Sequence, residues 1–220
     1  PYQPVERRLQ ITRRCLEVLV EFRNPVGIVT KNRLVTRDID LLAELAEHRA
    51  AQVFMSLPTL DVGLNRAMEP RSSLPAQRLA AVEALTRAGI PVGVLMAPLI
   101  PGLTDHEVPA VVEAAAEAGA THAGFVILRL PLAVRPLFED WLERHFPDRK
   151  DKVLNRIRAM RGGRLNVSEF GARMRGEGPY YDQIAAMFRV AVRRAGLNEE
   201  DRELSVEAFR RPGGEQLGLF

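Results

Sequence analysis

Short apolar runs alternate with amphipathic segments along the first 130 residues of the chain. The apolar runs lack polar alternation, which is typical of parallel strands that are covered on both faces; they lie at residues 26–30, 53–57, 92–96 and 125–128. Helical spacing of apolar residues predicts four amphipathic helices, at residues 5–22, 38–48, 75–88 and 105–118. Gly89 and Gly119 follow two of these helices, and we expect them to supply C-caps. The pattern predicts an α/β fold with a parallel sheet, open or closed into a barrel.

The alternation stops after Leu130, and the remaining chain has a different character. A basic, helical region with a glycine-rich break at residues 161–164 leads to a last amphipathic helix at about residues 179–194. From Leu197 the chain is polar, and residues 211–214 have the composition of a flexible linker. We therefore divide the chain into a parallel α/β part (1–130), a helical basic extension (131–196) and a flexible tail (197–220).

Composition narrows the class of protein. The 220 residues contain one cysteine, Cys15, which rules out an internal disulfide and cannot by itself build a zinc or iron–sulfur site. The four histidines are scattered, so we expect no metal site within this chain. No apolar run approaches the roughly 20 residues of a membrane span, and the first residues do not resemble a signal peptide. These features indicate a cytoplasmic protein without a membrane partner.

Basic residues are concentrated in one segment. Residues 144–175 hold ten arginines and lysines against three acids, although the net charge of the whole chain is only +3. Such a segment is a candidate surface for a nucleic acid, and the candidate contacts are Arg158, Arg161, Arg164, Arg173 and Arg175. A solvated, arginine-rich helix face is the alternative.

Polar residues follow the predicted strands, where parallel sheets bind their ligands. Lys31 comes directly after the first strand, and its ammonium could neutralise a carboxylate or a phosphate. Ser56 ends the second strand, where its hydroxyl could bind a ligand or cap the loop turn. Arg71 follows Pro70 and could equally form a loop salt bridge. Residues 96–102 offer an apolar strand end with backbone groups on which a flat base could lie, although such a loop need not bind any ligand.

Five segments in this order resemble the radical S-adenosylmethionine enzymes, and within them a bacterial family related to spore photoproduct lyase. The resemblance rests on residues 1–6 (PYQPVE), 26–31 (VGIVTK), 64–73 with Glu69-Pro70-Arg71, 90–105 with APLIPG, and 170–178 (FGARMRGEG). It implies a partial (β/α) barrel in which a [4Fe–4S] cluster reduces S-adenosylmethionine and the resulting 5′-deoxyadenosyl radical abstracts hydrogen from a substrate.

The resemblance also implies roles for particular residues. Lys31 would hold the methionine carboxylate, Ser56 the carboxylate or the ribose, and Ala97, Pro98 and Leu99 the adenine, with Arg71 nearby. Leu57-Pro58 departs from the more polar residues expected beside Ser56.

The cysteines of the cluster are the largest departure from the family pattern. The family's C-x-x-x-C-x-x-C loop is absent, and Cys15 is predicted on a helix, facing partly into the core. We expect the cluster loop and the missing strands to lie upstream of Pro1, and this chain alone to be inactive.

Three functions follow from these observations. The leading hypothesis is a portion of a radical S-adenosylmethionine enzyme acting on DNA, with a lyase-like repair activity. The second is a non-catalytic, DNA-associated protein that docks on the replication machinery. The third, a barrel enzyme for phosphate substrates, is disfavoured because no G-x-x-x-x-G-K-S loop occurs.

The last five residues carry a separate prediction. Gln216, Leu217, Leu219 and Phe220 resemble, with Gly218, the pentapeptide by which bacterial polymerases and repair proteins dock on the sliding clamp. The alternative is that these apolar residues fold back on the domain.

Overall fold

A four-stranded parallel sheet forms the centre of the structure, a computed structural model that describes residues 1–169, 173–199 and 203–211. The strands follow one another in space as in sequence; they are β1 (Val26–Thr30), β2 (Ala51–Ser56), β3 (Val92–Leu99) and β4 (His122–Ile127). Each neighbouring pair is parallel, so all four carboxyl ends lie along one edge of the sheet. The predicted fold class, a parallel α/β sheet of the kind found in a partial barrel, with a helical C-terminal extension, is confirmed.

Helices connect and follow the strands. The α-helices are α1 (Glu6–Leu9), α2 (Ile11–Phe22), α3 (Ile39–Glu47), α4 (Val62–Met68), α5 (Pro75–Arg87), α6 (Val108–Glu117), α7 (Val134–His145), α8 (Lys150–Ala159) and α9 (Pro179–Arg194). Short 3-10 helices cover Arg33–Asp38, Asp105–Glu107 and Pro147–Arg149. Gly89 and Gly119 follow α5 and α6 with positive φ, as the predicted C-caps require.

Two helices differ from the prediction for local reasons. The helix expected at residues 5–22 is divided at Gln10, which has a left-handed conformation. The carboxylate of Glu6 there accepts a hydrogen bond from the backbone N–H of Thr12 at 2.8 Å and so caps the start of α2. Helix α4 was not predicted, because its seven residues are too short for a clear apolar period. Its N-cap, Asp61, accepts a hydrogen bond from the N–H of Leu64 at 2.7 Å.

The apolar side chains form two clusters. The main core packs α3, α5 and α6 on the sheet and includes Ile184, Phe188 and Val192 of α9. A second cluster joins α7 and α8 to Ile100 and Leu130, the residues just beyond β3 and β4. This second cluster places the basic helices next to the carboxyl edge of the sheet. The domain boundary at residue 130 stays a prediction.

Cys15 is exposed on α2. The expectation that it faces partly into the core was wrong, because Leu16 is the residue of α2 that is buried in the core. Among the described residues, no helix is both long and apolar enough to cross a membrane.

Candidate functional site

A cavity of about 600 Å³ opens at the carboxyl ends of the strands. It brings together four of the predicted cofactor residues, Lys31, Ser56, Arg71 and Ala97. The rest of its lining comes from residues 1–4, 29, 30, 32, 69, 70 and 72. Its volume lies in the range of about 300–1,000 Å³ that is typical of pockets for small molecules and cofactors.

Lys31 lies directly after β1 and carries positive charge into the cavity. Its Nζ forms an ion pair with Oε1 of Glu69, and 41% of its side chain is exposed. An ammonium has three N–H donors, and the described residues use one of them, which leaves two for a ligand. Arg71, which also lines the cavity, is exposed.

Ser56 is 3% exposed and ends β2. Its hydroxyl donates a hydrogen bond to the carbonyl oxygen of Ala97 at 2.7 Å, which ties the end of β2 to β3. The hydroxyl oxygen can still accept a hydrogen bond from a ligand. Both predicted roles, loop capping and ligand binding, are therefore compatible with this geometry.

The three predicted adenine contacts do not lie together in the cavity. Ala97 lines it, whereas Pro98 and Leu99 do not. Leu99 is fully buried in the main core, and its carbonyl oxygen accepts a hydrogen bond from the N–H of Leu128 at 2.9 Å. Pro98 is half-buried.

Arg78 of α5 supports the loops that line the cavity, and sequence reasoning did not single it out. It is fully buried, and its guanidinium donates to the carbonyl oxygens of Ser73 (2.8 Å) and Ser56 (2.7 Å). It also donates to Oε2 of Glu69 and to Oγ of Ser72, both at 2.6 Å. Arg78 thus fixes the loop that presents Glu69 to Lys31.

The sequence did contain a signal for Arg78. It lies three residues before Ala81 and seven before Leu85, on the buried stripe of α5. A charged residue in the apolar phase of an amphipathic helix needs a partner, because burying an unpaired charge is costly.

The first residues of the chain close one side of the cavity. Tyr2 is buried and donates its hydroxyl to Oδ2 of Asp38 at 3.0 Å. Burial and the neighbouring Asp38 raise the pKa of Tyr2. Burial would also raise the pKa of Asp38, but hydrogen bonds from Arg37, Arg13 and Tyr2 hold that pKa below its ordinary value. The segment that carries the PYQPVE resemblance is thus anchored beside the cavity.

Two acids hold the loops beyond β2 and β3. Glu107 accepts hydrogen bonds from Oγ1 of Thr59 (2.6 Å) and from the N–H of Leu60 (2.7 Å). Asp105 accepts one from the N–H of Gly102 at 2.8 Å and another from the hydroxyl of Tyr180. Burial and this contact raise the pKa of Tyr180.

The predicted nucleic-acid contacts do not share one environment. Arg164 and Arg175 are exposed and Arg158 and Arg173 are half-buried, whereas Arg161 is only 5% exposed. Arg158 and Arg164 line a second cavity of about 440 Å³ together with Arg135 and Asn166, and no acid lines it among the described residues. Arg135, which sequence reasoning did not single out, comes from α7 and pairs with Glu139.

The predicted clamp-binding residues, Gln216, Leu217, Leu219 and Phe220, lie outside the described residues.

A parallel α/β sheet with a charged cavity at its carboxyl edge defines a class of ligand-binding α/β proteins, many of them cofactor enzymes. Comparison with known proteins narrows the class, because the sequence profile of the radical SAM superfamily matches residues 5–115, half of the chain. The chain belongs to the radical SAM superfamily.

The relatives extend over much of the chain. An uncharacterised protein of Mycobacterium tuberculosis is 34% identical over 150 residues, which are 67% of this chain and 44% of that protein. An uncharacterised protein of Methanocaldococcus jannaschii is 30% identical over 106 residues, 48% of this chain and 39% of its own length. A third, from Acidianus two-tailed virus, is 34% identical over 101 residues, 46% of this chain and 32% of its own. The chain therefore spans less than half the length of these relatives.

The superfamily implies S-adenosylmethionine and a [4Fe–4S] cluster, and the two fit this chain differently. The 600 Å³ cavity, with a cation and hydroxyl at successive strand ends, fits a zwitterionic nucleoside. The cluster does not fit, because it needs about three cysteine ligands and the sequence has one, exposed on α2. Within the described residues, no three His, Cys, Asp or Glu side chains are grouped as metal ligands.

Proposed function

We propose that this chain is the portion of a radical SAM enzyme that binds S-adenosylmethionine and a DNA substrate, with a lyase-like repair activity related to spore photoproduct lyase. The observation that carries the proposal is the charged cavity at the carboxyl ends of β1, β2 and β3, within the part of the chain that matches the superfamily. By itself the chain lacks the cysteines of a cluster and is inactive. The reducing chemistry points to a cytoplasmic location.

In this superfamily bound S-adenosylmethionine supplies the hydrogen-abstracting radical, so the work of this chain is binding and orientation. Lys31 offers the methionine carboxylate the two N–H donors that no described residue accepts, while Glu69 holds the ammonium in place. Ser56 accepts from the ribose or stands beside the carboxylate, and the backbone of Ala97 lies next to the adenine. Arg71 adds positive charge at the rim of the cavity.

DNA as the substrate is supported by the three arginines around the second cavity. Arg135, Arg158 and Arg164 converge there without an acid in the lining, which suits a phosphate backbone. The second cluster of apolar side chains places these helices at the same edge of the sheet as the cofactor cavity.

Calorimetric titration of S-adenosylmethionine into the full-length protein, reconstituted anaerobically, tests the proposal. Lys31→Ala removes a charge-assisted hydrogen bond, which is worth about 1.5–3 kcal/mol, and the partial exposure of Lys31 favours the lower half of that range. Lys152→Ala, an exposed lysine of α8, is the matched control. Equal affinities for the wild type and the Lys31→Ala variant would remove S-adenosylmethionine from this cavity.

The C-terminal pentapeptide supports a second partner. Its resemblance to clamp-binding peptides leads us to propose that residues 216–220 dock on the bacterial sliding clamp. This role would suit either a repair enzyme or a non-catalytic DNA-associated protein.

A further inference from the structure

Two arginines at the end of β4 form no ion pair with any described acid. Arg129 lies two residues beyond the strand, and Arg161 follows α8. Nη2 of Arg161 donates to the carbonyl oxygen of Leu128 at 2.7 Å, so its guanidinium lies at the carboxyl end of β4. Among the described residues, Nε and Nη1 of Arg161 and Nε of Arg129 are buried and have no hydrogen-bond partner.

Arg161 keeps its positive charge although it is buried. Burial, and then the positive charge of Arg129, lower the pKa of Arg161, but a guanidinium stays protonated in proteins. Nη1 of Arg129 reaches only the thioether of Met174, at 3.6 Å, and a thioether is a weak acceptor. Within the described part of the chain, neither side chain takes part in an ion pair. A buried guanidinium, Arg161, beside a half-buried one, Arg129, is a costly arrangement without an anion.

Arg161 is hydrogen-bonded less completely than Arg78. Arg78 is also buried, and it makes four hydrogen bonds, one of them to the carboxylate of Glu69. This is how the chain satisfies an arginine that only supports the fold. With the residues that the structure describes, the guanidinium of Arg161 makes one hydrogen bond, and its two other nitrogens have no partner.

The space beside Arg161 can hold that partner. A cavity of about 190 Å³ adjoins it, lined by Met160, Arg161, Gly162, Arg164, Val167, Glu169, Arg175 and Glu177. A water molecule occupies about 30 Å³ in the liquid, so the cavity has room for one phosphate group and several waters. The two acids that line it form no ion pair with Arg161 in the described structure.

We propose that Arg161, with the charge of Arg129 beside it, binds a phosphate group of the substrate in this cavity. Arg161 lines the cavity and Arg129 does not, so the guanidinium of Arg161 donates to the phosphate oxygens, with the bidentate geometry that arginine favours, while Arg129 adds positive charge nearby. The site lies at the same edge of the sheet as the cofactor cavity. The identity of the substrate rests on the proposed function, whereas the phosphate site itself does not depend on it.

The test measures phosphate binding to the full-length protein in buffers of matched ionic strength. Inorganic phosphate is titrated by calorimetry, and thermal unfolding is followed in phosphate and in chloride. Arg161→Gln removes charge-assisted hydrogen bonds and Arg129→Gln removes a neighbouring positive charge, so in each variant phosphate affinity should fall about ten- to hundredfold and the phosphate-dependent rise in Tm should disappear. Arg149→Gln, an exposed arginine before α8, should leave both unchanged.

Arg161→Lys is the control for misfolding, because lysine keeps the positive charge but lacks the planar guanidinium. We expect its phosphate affinity to lie between those of the wild type and Arg161→Gln. Short oligothymidylates distinguish the two sources of phosphate. If the oligothymidylates bind more tightly than inorganic phosphate, and methylphosphonate substitution abolishes this gain, the phosphate belongs to a nucleic-acid backbone. Equal binding identifies a free phosphate ester.

The proposal is overturned if Arg129→Gln and Arg161→Gln bind inorganic phosphate as the wild type does, or if phosphate stabilises the wild type no more than chloride. It is also overturned if Arg161→Gln loses affinity for S-adenosylmethionine instead of phosphate. Phosphate binding by a wild-type protein that does not bind S-adenosylmethionine would refute the proposed function and leave the phosphate site standing.

Discussion

Replacing Arg78 with methionine tests whether the cofactor cavity depends on a buried ion pair. The substitution removes four hydrogen bonds of 2.6–2.8 Å and leaves the carbonyl oxygens of Ser56 and Ser73 without this donor. It also takes one of two cations from Glu69, whose side chain is only 10% exposed. Breaking a buried pair typically costs about 3–5 kcal/mol. Because Lys31 still pairs with Glu69, we expect a loss of about 3 kcal/mol in the free energy of unfolding.

Equilibrium urea unfolding at neutral pH measures this loss. Arg87→Met is the matched control from the same helix, since Arg87 is 72% exposed and pairs only with Glu83, four residues earlier. An exposed pair of this kind is worth about 0.3–0.5 kcal/mol. The variant Glu69→Gln/Arg78→Met removes the stranded carboxylate, so the double substitution should cost less than the two single losses added together.

The cavity supplies an independent readout. Arg78 does not line it, but it holds Ser56, Glu69 and Ser72, which do. Affinity for S-adenosylmethionine should therefore fall in Arg78→Met, while Arg87→Met binds normally. A destabilisation below about 1 kcal/mol, or strictly additive single losses, would refute the view that Arg78 and Glu69 act as one buried unit.

Further predictions concern DNA, the clamp and acid stability. The double variant Arg158→Gln/Arg164→Gln should reduce the magnitude of the slope of log K against log salt by about 2 for duplex DNA of any sequence. An unaltered slope would show that these arginines do not contact DNA. A fluorescent peptide of residues 211–220 should bind purified clamp with micromolar affinity, about −8 kcal/mol, and equal binding by a peptide with alanine at its last two positions would dismiss the clamp. Because the folded pKa of Asp38 is depressed, its stabilisation should be complete above the unfolded value of about 4 and lost as the pH falls through the lower folded value. Asp38→Asn should flatten the acid limb of a urea series, and an unchanged limb would contradict this assignment.

The sheet could be predicted because its strands are continuous apolar runs. Burial on both faces leaves a signal in each residue of a strand, and the order of parallel strands then brings Lys31, Ser56 and Ala97 to one edge. The predicted helix at residues 179–194 coincides with α9, since Ile184, Phe188 and Val192 keep one apolar stripe.

Features that depend on single tertiary contacts could not be predicted. The break at Gln10 depends on the side chain of Glu6 turning back to Thr12, and α4 is too short to show a period. The basic segment was predicted to form one surface, because a count of charges along the sequence does not show which side chains face inward. Arg161 lies one residue beyond the buried Met160 and is itself buried, while Arg164, three residues further on, is exposed.

Helix α8 connects the two loops that follow β3 and β4. The guanidinium of Arg156 lies 4.4 Å from the ring centroid of Tyr180 and 3.6 Å from Asp105, which holds the N–H of Gly102 beyond β3. From the end of the same helix, Arg161 holds the carbonyl oxygen of Leu128 beyond β4.

An anion that draws Arg161 toward itself would therefore pull on the end of β4, which is hydrogen-bonded to β3 through Leu128 and Leu99. The carbonyl oxygen of Ala97, two residues before Leu99, accepts the hydroxyl of Ser56 in the cofactor cavity. Phosphate at Arg161 and a cofactor beside Ser56 would thus act on adjoining positions of β3 and β4. Since coupling between two sites is reciprocal, a phosphate that tightens cofactor binding must itself be bound more tightly when the cofactor is present.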